Sequence, residues 1–505
     1  MAICIIGKKI KLTVGIIQRQ SLSGAAYSYV GVGLGFLISG LLFPRILSTD
    51  QVGLLRVLVS YSTLLAQFAV LGFNTVTVKL FPFFRNEKKG HHGFLGFALL
   101  IALSGFILTT AIYLGLHHYI VENAKEKSQL FVTYYYYVIP MMFFTLLFGV
   151  FDTYYRVLYN AVTGIAYKEV VQRILIIISI VLFYFGFIDF KWLVIFYTIA
   201  VISPSLLMLI SLIKNNHFFI KPDFKFIDKA LGRQMIGVAF FGIVASYSGV
   251  LVQNIDLIMV DHYLGLSYAG IYAITFFFGT LILIPLRTMG KISSVVIADS
   301  WKNNDLENIR SIYQKSTLTL GIAGVFLFVG IWGNIDNIFH LVGKNYEAGK
   351  YVILFIGLAN LCDVFSGISP HIIVNSPKYR WLSYLLILFA GLVIVTNWVF
   401  IPLYGIVGAA LASFISKLLY TLMKHLFLYK QFGLQPYTYK HLILLLLGAV
   451  TWYLSSLVPP HSFYLIDILI RSLVISLLFL PAVYYLKISE DFNGIVRAVL
   501  LRFKR

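Results

Sequence analysis

Five ionisable residues stand where an apolar chain does not readily carry them. Arg56 follows the polar hinge FPRILSTDQVGLLR (residues 43 to 56), several residues inside an apolar run. Asp363 and Lys417 each fall near the middle of a later run, Asp256 closes the polar cluster QNID at 253 to 256, and Arg287 follows Pro285. A charge at the centre of a membrane span costs about 2.5 to 3.5 kcal/mol, so each survivor needs a partner or a wet cavity. An arginine in such a place suits a diphosphate, because its planar fork donates two hydrogen bonds to phosphate oxygens. At roughly 9 Å from the middle of its span, Arg56 can also snorkel to the interface on its long stem. Asp363 and Lys417 share one depth, which makes them either a structural pair or a protonation or ion-coupling site. Asp256 with its neighbouring amides offers oxygens to Na⁺ or a proton, or serves the interface. Arg287, near the inner end of its run, serves as an inner-surface anchor.

The elements that carry these residues follow from composition. The chain has 505 residues, 59% hydrophobic and 12% charged, with a mean hydropathy of +0.87. Its apolar residues form runs of about 20, the length at which an α-helix crosses the hydrocarbon core. Spans are expected near 22–44, 52–72, 94–118, 132–151, 171–188, 193–213, 236–259, 271–290, 316–335, 351–373, 381–401, 405–428, 441–458 and 464–486. The fold class is therefore all-α, a polytopic membrane protein of about fourteen transmembrane helices.

Net charge of +20 would suit a partner of nucleic acid, but its placement argues otherwise. With the N-terminus inside, 31 of the 40 Lys and Arg fall on the cytoplasmic side or its helix ends, 6 on the other side and 3 within spans (Arg56, Lys417, Arg471). That asymmetry is a topology signal, and it reads as both termini cytoplasmic. The opening MAICIIGKKIKLTVGIIQRQ lacks a secretory signal's apolar stretch, so the first span is expected to remain as an anchor. Cys4 and Cys362, one at the terminus and one in a span, imply no disulfide framework.

The hinge at 43 to 56 has a near copy, LGLSYAGIYA at 264 to 273: Leu47, Ser48, Gly53 and Leu54 align with Leu264, Gly265, Gly270 and Ile271 at an offset of 217 residues. Six spans separate the copies, so the second half repeats the first in the same orientation, a transporter architecture with its site between the halves. A weaker correspondence relates Asp152 to Asp363. The expected organisation is an N-terminal six-helix lobe at 1–213, a cytoplasmic linker at 214–235, a C-terminal six-helix lobe at 236–430, and two extra helices with a cytoplasmic tail at 431–505.

FPRILSTDQVGLL, IDLIMVDHYLGLSYAGIYAI (255 to 274) and above all IPLYGIVGAALASFISKLLY (401 to 420) resemble the Wzx-type polysaccharide flippases of the multidrug/oligosaccharidyl-lipid/polysaccharide exporter superfamily, over about residues 20 to 430. The resemblance implies two six-helix lobes of the drug-exporter kind and alternating access. It also implies translocation of undecaprenyl-diphosphate-linked oligosaccharide across the bacterial inner membrane for O-antigen or lipopolysaccharide synthesis. No cofactor is implied beyond an H⁺ or Na⁺ gradient. The partners implied are the lipid-linked sugar, the bilayer and the polysaccharide polymerase machinery. Similarity to the more distant lipid II flippases, which use arginines from early spans and the eighth, makes Arg287 a second candidate diphosphate contact beside Arg56. An ion-coupled small-molecule or multidrug exporter of the same superfamily is the alternative. A membrane glycosyltransferase, polymerase or ligase would need a sizeable outer loop with catalytic acids or a histidine, and the outer connections are short.

Smaller signals carry expectations of their own. Gly405, Gly408, Ala409 and Ala412 put small groups at helical spacing, as close helix packing requires. Tyr134 to Tyr137 begin a span and are expected in the interfacial aromatic belt. The stretch 299 to 316 is expected to lie along the inner surface. Asp467 and Arg471 have the spacing of a local pair. The histidine pairs at 91–92 and 117–118 lack the accompanying acids or cysteines of a metal site.

Overall fold

The structure is a computed structural model that describes residue 20 and residues 23–503. The opening segment with Cys4 lies outside the described residues. Among the described residues there is no strand, and 11 helices are long and apolar enough to cross a membrane. The chain is a multi-pass membrane protein. Helices meet the bilayer's demand that every backbone N–H and C=O be paired within the chain.

The helices are α1 (Ser23–Ile46), α2 (Thr49–Ala69), α3 (Phe73–Phe84), α4 (Phe94–Gly115), α5 (His117–Ala124), α6 (Gln129–Val157), α7 (162–184), α8 (Phe190–Lys214), α9 (Lys229–Leu264) and α10 (Leu266–Thr280). They continue with α11 (Ile284–Lys302), α12 (Leu306–Gly333), α13 (Ile335–Val342), α14 (Lys350–Ser366), α15 (Ser369–Asn375), α16 (Arg380–Phe432), α17 (Tyr439–Ser456), α18 (Tyr464–Tyr485) and α19 (Glu490–Phe503). The fourteen expected spans fall on these helices. The chain divides into two compact units, Met1–Gly270 and Ile271–Arg505. In the first, α2 packs on α4, α6 and α9; in the second, α14 packs on α16, and α12 on α14, α17 and α18.

The quoted hinge answers to a specific contact in the first unit. Ser48 caps α2 by accepting from the Gln51 backbone, while the Gln51 side chain accepts from the Ser48 N–H at 3.0 Å, a complete capping box. The copied hinge turns at Gly265, with φ +93°. The two copies then pack on each other. A Cβ at Gly53 would lie 2.0 Å from the Leu266 carbonyl oxygen, and a Cβ at Gly270 would lie 2.0 Å from that of Thr49. Each residue of one copy meets its offset counterpart's neighbour in the other, a self-complementary contact of the kind a two-fold axis produces. Thr49 and Ser267 complete it with a 2.7 Å bond between hydroxyls.

In the second unit, Gly405 (φ +61°, ψ −140°) breaks α16 into two halves that fold back on each other. The stacking of Phe389 on Tyr420 (4.4 Å, 6°) and the 2.9 Å Thr396–Ser416 hydroxyl bond show the return. A Cβ at Gly408 would stand 1.9 Å from the Phe400 carbonyl oxygen, so the LYGIVG motif is what permits a one-residue reversal.

Three expectations change. The 299–316 stretch is two helix ends: α11 runs to Lys302 and Asp305 caps α12 by accepting from the Asn308 N–H at 2.9 Å. Of the four tyrosines, Tyr134 and Tyr135 are core residues. Tyr135 is wholly buried, stacks on Tyr113 at 4.4 Å and donates to its carbonyl at 2.7 Å, leaving Tyr136 exposed. The pattern of a Tyr run cannot separate belt from core, since either burial or a wet interface satisfies the ring. Finally, His92 packs flat on Phe226 at 3.8 Å and pairs with Asp223 at 3.3 Å, so this histidine ties the 215–228 connection to the end of α4.

With Thr49 and Ser267 in hydroxyl contact, Thr49→Cys with Ser267→Cys is expected to form a disulfide in membranes on mild oxidation, read as a gel shift after cleavage between the two sites. Gly53→Leu in that background should abolish it, because the side chain has no room against the Leu266 carbonyl.

Candidate functional site

Arg56 in α2 is half-buried and turned toward α1. Its Nη2 donates to the Ser39 hydroxyl at 2.5 Å, and its guanidinium lies 5.0 Å from the centroid of the Phe43 ring. Tyr197 of α8 backs that ring at 6.4 Å. The Nε atom is buried without a hydrogen-bond partner. Ser39 lies in a π-helical stretch of α1, Leu37–Leu42, and such one-turn irregularities concentrate at functional positions. The arginine is thus oriented by a hydroxyl and a ring face while one N–H remains to be satisfied.

A second guanidinium reaches the same helix. Arg173 of α7 pairs with Glu169 at 2.6 Å and donates to the Gly31 carbonyl. Glu169 itself falls in a second π-helical stretch, Tyr167–Val171. The sequence reading counted Arg173 as an inner-end charge and missed the pair. The signal was present as an acid and a base four apart in KEVVQR, opposite the small residues of GVGLG. Asp152, aligned loosely with Asp363, pairs instead with Arg156 at 3.2 Å. Asp256 is buried within α9, 4% exposed. Five residues on, Asp261 is also buried and accepts from the Ser128 hydroxyl at 2.6 Å.

In the second unit Asp363 and Lys417 meet at 2.8 Å, each about one-fifth exposed (24% and 20%). Lys417 also donates to the Asn360 side-chain Oδ1 at 2.6 Å, and the Asn360 Nδ2 donates to the Gly279 backbone carbonyl at 2.8 Å. A chain of hydrogen bonds therefore joins α16, α14 and α10. Lys424, read as an inner-end charge, is instead buried at 2% and stands 4.4 Å from the Tyr420 ring centroid. Arg287 lies on α11, and its side chain is outside the described residues. Asp467 and Arg471 meet at 2.6 Å.

Breaking a buried pair by removing one partner costs about 3 to 5 kcal/mol, less where water reaches a fifth of each side chain. Asp363→Asn or Lys417→Gln alone should lower the amount of folded protein in the membrane, and the double change should recover much of it. Single variants present at normal levels but inactive in gradient-driven transport would assign the pair to ion coupling instead.

The fold has solved counterparts. The structure described as "Lipid II flippase MurJ, inward closed conformation" matches with a TM-score of 0.71 at 17% identity, over 95% of this chain and 99% of that one. A multidrug resistance MATE family transporter of the MOP superfamily, in an inward-facing conformation, matches with a TM-score of 0.58 at 14% identity, over 80% of this chain and 93% of the other. At these identities the likeness concerns the fold, which is that of MOP-superfamily transporters. No curated protein matches the sequence significantly. The profile of a sequence family described as "Polysaccharide biosynthesis protein" matches residues 21–284.

Proposed function

Because the chain belongs to the polysaccharide biosynthesis protein family, we propose that it is a flippase that carries undecaprenyl-diphosphate-linked oligosaccharide across the bacterial inner membrane by alternating access. Arg56 carries this reading: a guanidinium deep in its span, held by Ser39 and Phe43, with a buried Nε–H that has no partner. A diphosphate oxygen supplies that partner and the opposite charge together. The lipid tail stays in the bilayer while the sugars travel through polar surroundings. Arg287 is the second diphosphate contact, and Asp256 or the Asp363–Lys417 pair couples transport to a proton or Na⁺ gradient. The flipped unit is then handed to polysaccharide polymerase machinery. The lysine and arginine asymmetry supports cytoplasmic termini.

Arg56→Ala should reduce glycan export in a deletion strain by roughly tenfold to a hundredfold, the worth of a charge-assisted hydrogen bond of about 1.5 to 3 kcal/mol. Arg56→Lys keeps the charge without the fork and should fall between. Normal export by Arg56→Ala at normal protein level would assign this arginine to helix packing. A vesicle assay comparing a fluorescent lipid-diphosphate sugar with cationic dyes separates the flippase reading from that of a small-molecule exporter with the same fold.

Orientation has its own test. A membrane-impermeant thiol reagent applied outside cells should label Lys125→Cys and miss Lys221→Cys; the reverse pattern would invert the topology.

A further inference from the structure

The two C-terminal spans have no counterpart in the repeated six-span pattern, and the structure gives them a specific setting. At one end of the second unit, the end of α12, the start of α13, the end of α17 and the start of α18 enclose a cavity of about 470 Å³. Its walls combine aromatic faces from Trp332, Trp452 and Tyr464 with a dense set of amides, imidazoles and charges. His340 lies nearly parallel to Tyr464, with ring centroids 6.3 Å apart.

The charges bordering this cavity are paired with one another. Asp336 pairs with Lys350 at 2.8 Å. Asp467, 3% exposed, accepts from Arg471 Nε at 2.6 Å, from the Asn337 amide at 2.5 Å and from the His461 N–H at 2.9 Å. Arg471 spends its remaining fork on the Ser455 and Val458 carbonyls, at 3.2 and 3.0 Å. Two acids balance two bases, and each nitrogen of the guanidinium already donates to a partner within the protein. Burying such a network costs desolvation that its own bonds largely offset, and the result is a polar wall with fixed geometry. Fixed polar groups beside exposed aromatic faces make a site for a ligand with an apolar face and a hydroxyl edge.

We infer that this cavity binds a neutral sugar residue, its ring stacked on the Trp332 and Trp452 indoles and its hydroxyls bonded to the polar wall. In the topology above the cavity opens on the outer surface, where the appended helices would receive the glycan as it leaves. The inference rests on the flippase reading for that direction of travel, and on the cavity's own chemistry for the binding.

The test is saturation-transfer NMR on the full-length protein in nanodiscs, with maltotriose, mannotriose and chitotriose as neutral probes and a glucuronate disaccharide and inorganic phosphate as anionic ones. At least one neutral trisaccharide should receive saturation. Trp452→Ala, a change at a side chain already 41% exposed, should weaken that binding about tenfold, the loss of one stacked face with its buried area, while Trp452→Phe retains most of it. Arg56→Ala should leave it unchanged, so a failed flippase reading and a failed pocket remain distinguishable. Absence of transfer to all three neutral probes, transfer that survives Trp332→Ala with Trp452→Ala, or preference for the anionic probes would each overturn the proposal.

Discussion

Helices dissolved in hydrocarbon gain nothing by hiding apolar side chains from one another, since the lipid is as apolar as they are. What remains is contact between backbones, and in this protein that contact is made where a glycine of one helix receives a carbonyl of another. The crossing of α2 with the start of α10 is the case on which the organisation turns: Gly53 takes the Leu266 carbonyl and Gly270 takes that of Thr49. The contact is self-complementary because the sequence is duplicated, so one solution to helix packing served twice. In the same unit Gly105 approaches the Ala69 carbonyl so closely that a Cβ would stand 1.9 Å from it. Volume added at these positions moves helices bodily, because the atom it meets is a backbone carbonyl and not a side chain that can rearrange.

Against that background the ionisable groups are few and specifically held. Arg56 and Arg173 both donate to α1, to Ser39 and to the Gly31 carbonyl, and they come from two helices far apart in sequence, α2 and α7. In the other unit Lys417 pairs with Asp363, and Lys424 is buried against the Tyr420 ring. Each unit thus keeps positive charge in its helical interior, in a medium that penalises it. For a carrier of diphosphates the placement is economical: the penalty on the empty protein becomes attraction for the anion.

Much of this was legible in the sequence, for identifiable reasons. Span number follows from length and hydropathy, and the hinge duplication from glycines and capping residues at a fixed offset. The Asp363–Lys417 meeting was readable because two opposite charges at one depth have few other ways to be tolerated. Lys424 was misread because distance from a helix end cannot tell a lysine that snorkels from one turned onto Tyr420. The tyrosines at 134 and 135 hid a core pair inside what composition presents as an interfacial belt. The Asp467 network was visible only as an i,i+4 pair; its partners Asn337 and the His461 backbone arrive from segments that no spacing rule connects.

The reversal at Gly405 bears on how the protein is made. A single residue joins the two halves of α16, too short a link to rest in water while one half awaits the other. The 53-residue element therefore holds its two halves side by side, with Thr396 and Ser416 satisfying each other. Lys417 lies in the second half, and its partner Asp363 precedes it in the chain. Synthesis from the N-terminus therefore makes the counter-ion before the cation it pairs with.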